Sequence, residues 1–181
     1  MPPLPLPDSP LVARARAIAT GVLADAVVRH STRTFLLARA YAGVEAISFD
    51  DEGLLVAALL HDLGLSEAMR NPAGPFPEVG AAALRRLFGE LAADPRRADL
   101  LAEAIELHMR LFPRWSRGAE VGLLQVGAWM DVMGRRKARV PAQVREAIAR
   151  DYPRGGFDGA FRRALIKSLG SLRACSVLVL P

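Results

Sequence analysis

Residues 54–64, reading L-L-V-A-A-L-L-H-D-L-G, constrain what this chain can fold into more than any other stretch. They predict a strongly apolar helix that ends in a histidine and a carboxylate side by side, where ionic groups are costly to place. A helix turns about 100° per residue, so His61 and Asp62 leave the backbone in neighbouring directions and can reach one point beyond the helix. Imidazole nitrogen and carboxylate oxygen together suit Zn, Mn or Fe(II). A divalent cation would also neutralise a carboxylate whose pKa burial otherwise raises. The alternative is a helix end, closed by Gly64, that carries both residues by chance.

The histidine count sharpens the choice, because His30, His61 and His108 are the only three in 181 residues and each sits beside or within an apolar helical segment. His30 is expected at the junction of two helices. The first covers 10–28, with Leu11, Ala15, Ile18, Val22, Leu23 and Ala26 at three- and four-residue spacing; the second is opened by S-T-R-T-F-L-L-A-R-A-Y-A, where Ser31 or Thr32 can cap. Arg33 falls on nearly the same face as His30 and can hold an acidic group or a substrate anion, or else form a surface ion pair. The acidic run at 50–52 suits the positive end of the central helix, 53–63.

Three prolines and a glycine make 66–77 a loop directly after the presumed ligands, in a place suited to a wall or lid. Glu78 then opens a helix over 78–91, as a dipole partner or as a carboxylate facing the site. Asp94 caps a helix that runs from Pro95 to His108, whose imidazole either offsets the helix dipole or joins the other two. Residues 118–134 predict a helix apolar on most sides, with Asp131 inside it. An ionised carboxylate there needs a cation, an arginine or a set of donors, so Asp131 is a metal-ligand candidate or the partner of an arginine. A basic turn at 135–139, a helix over 141–151, a P-R-G-G turn and a helix over 157–173 complete the reading.

An all-α single domain over 9–173 is expected, with a proline-rich extension at 1–8 and an apolar tail at 174–181. The single cysteine, Cys175, excludes an internal disulfide, and M-P-P-L-P-L-P-D lacks a basic n-region and an apolar h-region, so a cytoplasmic location is expected. The longest run free of charged residues, 121–130, falls short of the roughly 18 residues a membrane span needs. The net charge of +5 comes from arginines on several separate segments, which does not predict nucleic-acid binding. A small-molecule substrate is the expected partner, and self-association is left open. No P-loop, glycine-rich dinucleotide turn, cysteine pair or repeat is present.

In chain order, His30, His61-Asp62 and Asp131 read H…HD…D on separate helices, which resembles the HD superfamily of metal-dependent hydrolases over about residues 20–135. The resemblance implies a helical bundle in which His30, His61, Asp62 and Asp131 converge on one metal between helices. H-S-T-R-T-F, P-F-P-E-V-G-A-A-A, L-L-Q-V-G-A-W-M-D-V-M-G and Y-P-R-G-G-F-D-G-A-F further resemble the cyanamide hydratase branch. HD nucleotidases carry a glutamate three residues after the H-D aspartate, where this chain has Leu65. Dinuclear relatives carry two extra histidines, where it offers only His108 and, roughly in the other place, Glu78.

One divalent ion is therefore expected, zinc first and iron, manganese or nickel as alternatives, with Glu78 and His108 as the pair able to hold a second. The implied activity is attack of metal-activated water on a small polar, cyanamide- or nitrile-like substrate. Asp62, His108 or Glu78 would move the proton and Arg33 would orient the substrate. A phosphohydrolase acting on a nucleotide or phosphate ester, and a metal- or ligand-binding module without turnover, are the alternatives.

Overall fold

The structure is a computed structural model and describes residues 4–71, 74–159, 161 and 163. Its centre is α3 (Asp51–Leu60), in which every residue from Gly53 to Leu60 is buried. A helix apolar on all sides needs neighbours all round. It has them in α1 (Pro10–Val22), α2 (Asp25–Glu45), α4 (Phe76–Glu90), α5 (Pro95–Leu107) and α6 (Ala119–Met133), all of which pack against it. Helix α7 (Ala142–Asp151) lies against α2. Among the described residues there are α-helices, three short 3-10 turns and no strand, as the periodicity predicts. No described helix is long and apolar enough to cross a membrane.

Local chemistry sets the helix starts. Asp50 accepts from the Gly53 amide at 2.9 Å and so caps α3, with Asp51 and Glu52 in the first turn. Burial works to raise the Asp50 pKa but is outweighed by hydrogen bonds from Arg97 and Gly53, which hold the carboxyl below its ordinary range. Ser9 caps α1 and Asp94 caps α5 in the same manner.

The first helix boundary differs from expectation. Helix α1 stops at Val22, Leu23 and Ala24 are extended, and α2 starts at Asp25. The break lets Leu23 join the core and sends α2 along α6. His30 consequently lies inside α2 rather than at a junction, and Ser31 and Thr32 do not cap; their hydroxyls donate to the carbonyls of Val27 and Val28 at 3.2 Å. The proposed helix over 157–173 is seen as helical residues at 157–159, 161 and 163. Its remainder and the apolar tail lie outside the described residues.

Two glycines bring the site-bearing helices together. A Cβ on Gly127 of α6 would collide with the Thr34 carbonyl of α2, and one on Gly80 of α4 would collide with the Leu60 carbonyl of α3. Only hydrogen fits at those two seams.

Candidate metal centre

Four elements deliver the polar cluster. Helix α3 ends at Leu60, so His61 caps it and Asp62 stands one residue beyond. His30 comes from α2, His108 caps α5, and Asp131 comes from the last turn of α6. All five side chains are buried. The His30, His61 and Asp62 ligand atoms lie within 4.8 Å of one another. His30 Nε2 is 3.6 Å and His61 Nε2 3.3 Å from Asp62 Oδ2, while His108 Nε2 is 4.0 Å from Asp62 Oδ1.

Hydrogen bonding fixes the tautomers. His61 Nδ1 donates to the Ala58 carbonyl and His108 Nδ1 to the Ile105 carbonyl, each at 2.6 Å. A carbonyl can only accept, so in the neutral rings the proton is on Nδ1 and the Nε2 lone pair points at Asp62. Both rings are neutral: burial first, and then repulsion from a neighbouring imidazole, push His61 and His108 down to about 3. His30 Nδ1 lies 2.7 Å from Asp131 Oδ2, which turns its Nε2 toward Asp62. Three imidazole Nε2 atoms thus face a carboxylate, and buried Asp62 Oδ2 has no hydrogen-bond partner. Burial raises the Asp62 pKa. A buried carboxylate among imidazole nitrogens is relieved by a proton or by a metal cation, and imidazole with carboxylate is the ligand set of a divalent transition metal.

Asp131 stands behind His30 rather than beside Asp62. Its carboxylate accepts from Arg33 Nε at 2.8 Å and from Arg33 Nη2 at 2.7 Å, a bidentate pair, and from Arg154 Nη1 at 3.3 Å. Burial works to raise the Asp131 pKa, but hydrogen bonds from His30 and Arg33 outweigh it and hold the carboxyl far below its usual range. Asp131 is therefore an anion that orients the His30 ring, an arrangement common behind metal-bound imidazoles.

Arg33 is only 2% exposed, and its Nη1 donors reach the carbonyls of Tyr152 and Pro153 at 3.3 Å. Four of its five N–H donors are engaged in this way, and Arg33 sits behind His30 rather than on the cavity wall. Glu78 is in the first turn of α4, exposed, in a separate surface pocket with Asn71 and Arg86. The fold does not bring it to the histidines.

Residues absent from the sequence-based candidates complete the site. Phe157 stacks on His30 with ring centroids 4.6 Å apart, and the guanidinium groups of Arg33 and Arg154 lie 5.3 and 5.0 Å from its centroid. Arg154 also donates to the Asp131 backbone carbonyl. Both residues belong to the stretch Y-P-R-G-G-F, the one signal by which they could have been found. A cavity of about 210 Å3 opens in front of the cluster, bounded by His30, His61, Asp62 and His108 and walled by Met109, Ala128, Trp129, Val132, Met133 and Phe161.

The HD domain family model matches residues 27–145, more than half of the chain, and its span contains His30, His61, Asp62, His108 and Asp131. The chain belongs to the HD domain family. No curated protein matches it. HD domains are generally metal-dependent hydrolases, and the buried His30–His61–Asp62 group of this HD domain is a site of the kind such chemistry needs.

Proposed function

We propose that this HD-domain protein is a mononuclear metal-dependent hydrolase or hydratase that adds water to a small neutral substrate, with a nitrile or cyanamide-type group as the reacting centre. The observation that carries the reading is the convergence of three imidazole Nε2 atoms on a carboxylate whose Oδ2 has no hydrogen-bond partner. His30, His61 and Asp62 would hold the ion, with His108 across from Asp62 and Asp131 steadying His30 from behind. A divalent ion there supplies a Lewis acid and lowers the pKa of water from about 15.7 toward 7.

The remaining work falls to the chain. The Asp62 carboxylate and His108 Nε2, 4.0 Å apart, are placed to accept a proton from water and return it to the substrate nitrogen. Apolar walls keep bulk water from the site and strengthen every charge interaction inside it. The phosphohydrolase alternative is weaker here. Arg33 is committed to Asp131, no arginine or lysine lines the described cavity, and Leu65 stands where nucleotidases carry a glutamate.

Elemental analysis of protein purified without chelator, followed by turnover assays, tests the reading. About one divalent ion per chain is expected, together with release of amide or urea-type product from nitriles and no phosphate release from phosphate esters. His61→Ala should abolish both metal and turnover. A metal-free wild type overturns the proposal, and phosphate release would move it to the alternative class.

A further inference from the structure

We propose that the substrate carries an apolar body about the size of an aromatic ring behind its reacting polar group, an inference that rests on the hydrolase reading above. The argument starts from the division of the cavity. Its acceptor groups are gathered in one cluster, while the described walls are Met109, Ala128, Trp129, Val132, Met133 and Phe161. Trp129 adds no polar function, because its indole N–H already donates to the His108 carbonyl at 3.1 Å. Arg135 lies 4.9 Å from the Trp129 ring centroid and does not line the cavity. Arg33 is turned to Asp131 and to backbone carbonyls and does not line the cavity.

Volume then sets the size. A three-heavy-atom molecule such as cyanamide would leave most of about 210 Å3 as water against apolar walls, at a cost in free energy. An apolar cavity of about 150 Å3 admits benzene, so this one has room for a ring and a short substituent. Met133 lines the cavity and is yet 66% exposed, which marks the mouth. A flexible thioether there can move aside for a bulky apolar group and close over it. Among the described residues, a phosphate or a sugar would meet the imidazole–carboxylate cluster at the inner end and hydrocarbon elsewhere.

Calorimetric titration of the metal-loaded protein with acetohydroxamate and benzohydroxamate tests this, because the two share one chelating head and differ only in the body. Benzohydroxamate should bind more tightly by roughly tenfold or more, the return on burying a ring. Val132→Trp, which fills the cavity, should abolish that preference in protein that still carries its metal; Ala128→Leu serves if that variant fails to fold. Equal affinities in a metal-loaded wild type would overturn the inference and leave the hydrolase reading standing. So would a ring preference that survives both cavity-filling variants, or displacement of benzohydroxamate by inorganic phosphate at comparable concentration. A wild type without metal would remove the hydrolase reading, and this inference with it.

Discussion

Asp62 is placed against the interest of the fold. Its carboxylate is buried at the end of α3, receives no hydrogen bond at Oδ2 and faces imidazole nitrogens, so a cation-free site stores unfavourable energy there. With chelator present, Asp62→Asn should therefore raise the stability of the chain by about 1–3 kcal/mol, because the amide supplies the missing donor. The same variant should lose metal binding. Urea denaturation with and without chelator reads both effects, and a metal-free Asp62→Asn less stable than the wild type would make Asp62 a structural residue.

The histidines set a pH dependence of known sign. His61 and His108 are held near 3, below their unfolded value of about 6.5, so between those limits the unfolded chain binds protons that the fold refuses. Stability of the metal-free chain should fall as pH drops below about 6.5, by up to about 1.4 kcal/mol per pH unit for each ring. Asp62, raised by burial, acts in the opposite sense and costs stability at neutral pH. Denaturation midpoints at successive pH values below 7 in chelator check the slope; unchanged midpoints would mean the rings are not buried neutral. At this scale the sequence was readable for His61 and Asp62, which are neighbours in the chain. It was not readable for Asp131, because the choice between a metal and an arginine depends on where α2 places Arg33.

Helix α2 and helix α6 form the seam that carries His30, Arg33 and Asp131, and Gly127 sets their separation. Gly127→Ala has no room beside the Thr34 carbonyl, so the helices must part. A destabilisation of about 1–3 kcal/mol is expected, with weaker metal binding as His30 loses its partner. Denaturation and metal titration on one preparation check it, and normal affinity in a destabilised protein would separate the seam from the site. Helix cores, the acidic start of α3 and the Asp94 cap were legible from apolar spacing and local chemistry. The α1–α2 boundary was not. The same apolar spacing runs through Leu23, and only the gain from burying that side chain against other helices decides the break.

Across the whole molecule, the site draws on residues beyond the family-matched span of 27–145. The segment after α7 is fastened back on α2 and α6: Arg29 donates to the Pro153 and Gly155 carbonyls at 3.1 and 2.9 Å, Arg33 to those of Tyr152 and Pro153, and Arg154 to Asp131. Phe157 is thereby pressed on His30. Phe157→Ala should cost about 3–5 kcal/mol by opening a cavity, and should lower metal affinity about 10–100-fold through a loosened His30. Phe157→Leu should restore most of the stability and less of the affinity. Equal recovery of both would make the ring a packing residue alone.

The sequence by itself determined the all-helical class, the central helix and the His61-Asp62 pair at its end, because hydrophobic period and adjacency are local properties of a chain; His30 entered through the resemblance to HD domains. The tertiary structure alone decided that Asp131 and Arg33 neutralise each other, that Glu78 faces away, that residues after α7 complete the site, and that the cavity is walled by hydrocarbon. Those outcomes depend on which partner lies within a few ångströms across helices distant in sequence. Spacing along one helix does not carry that information.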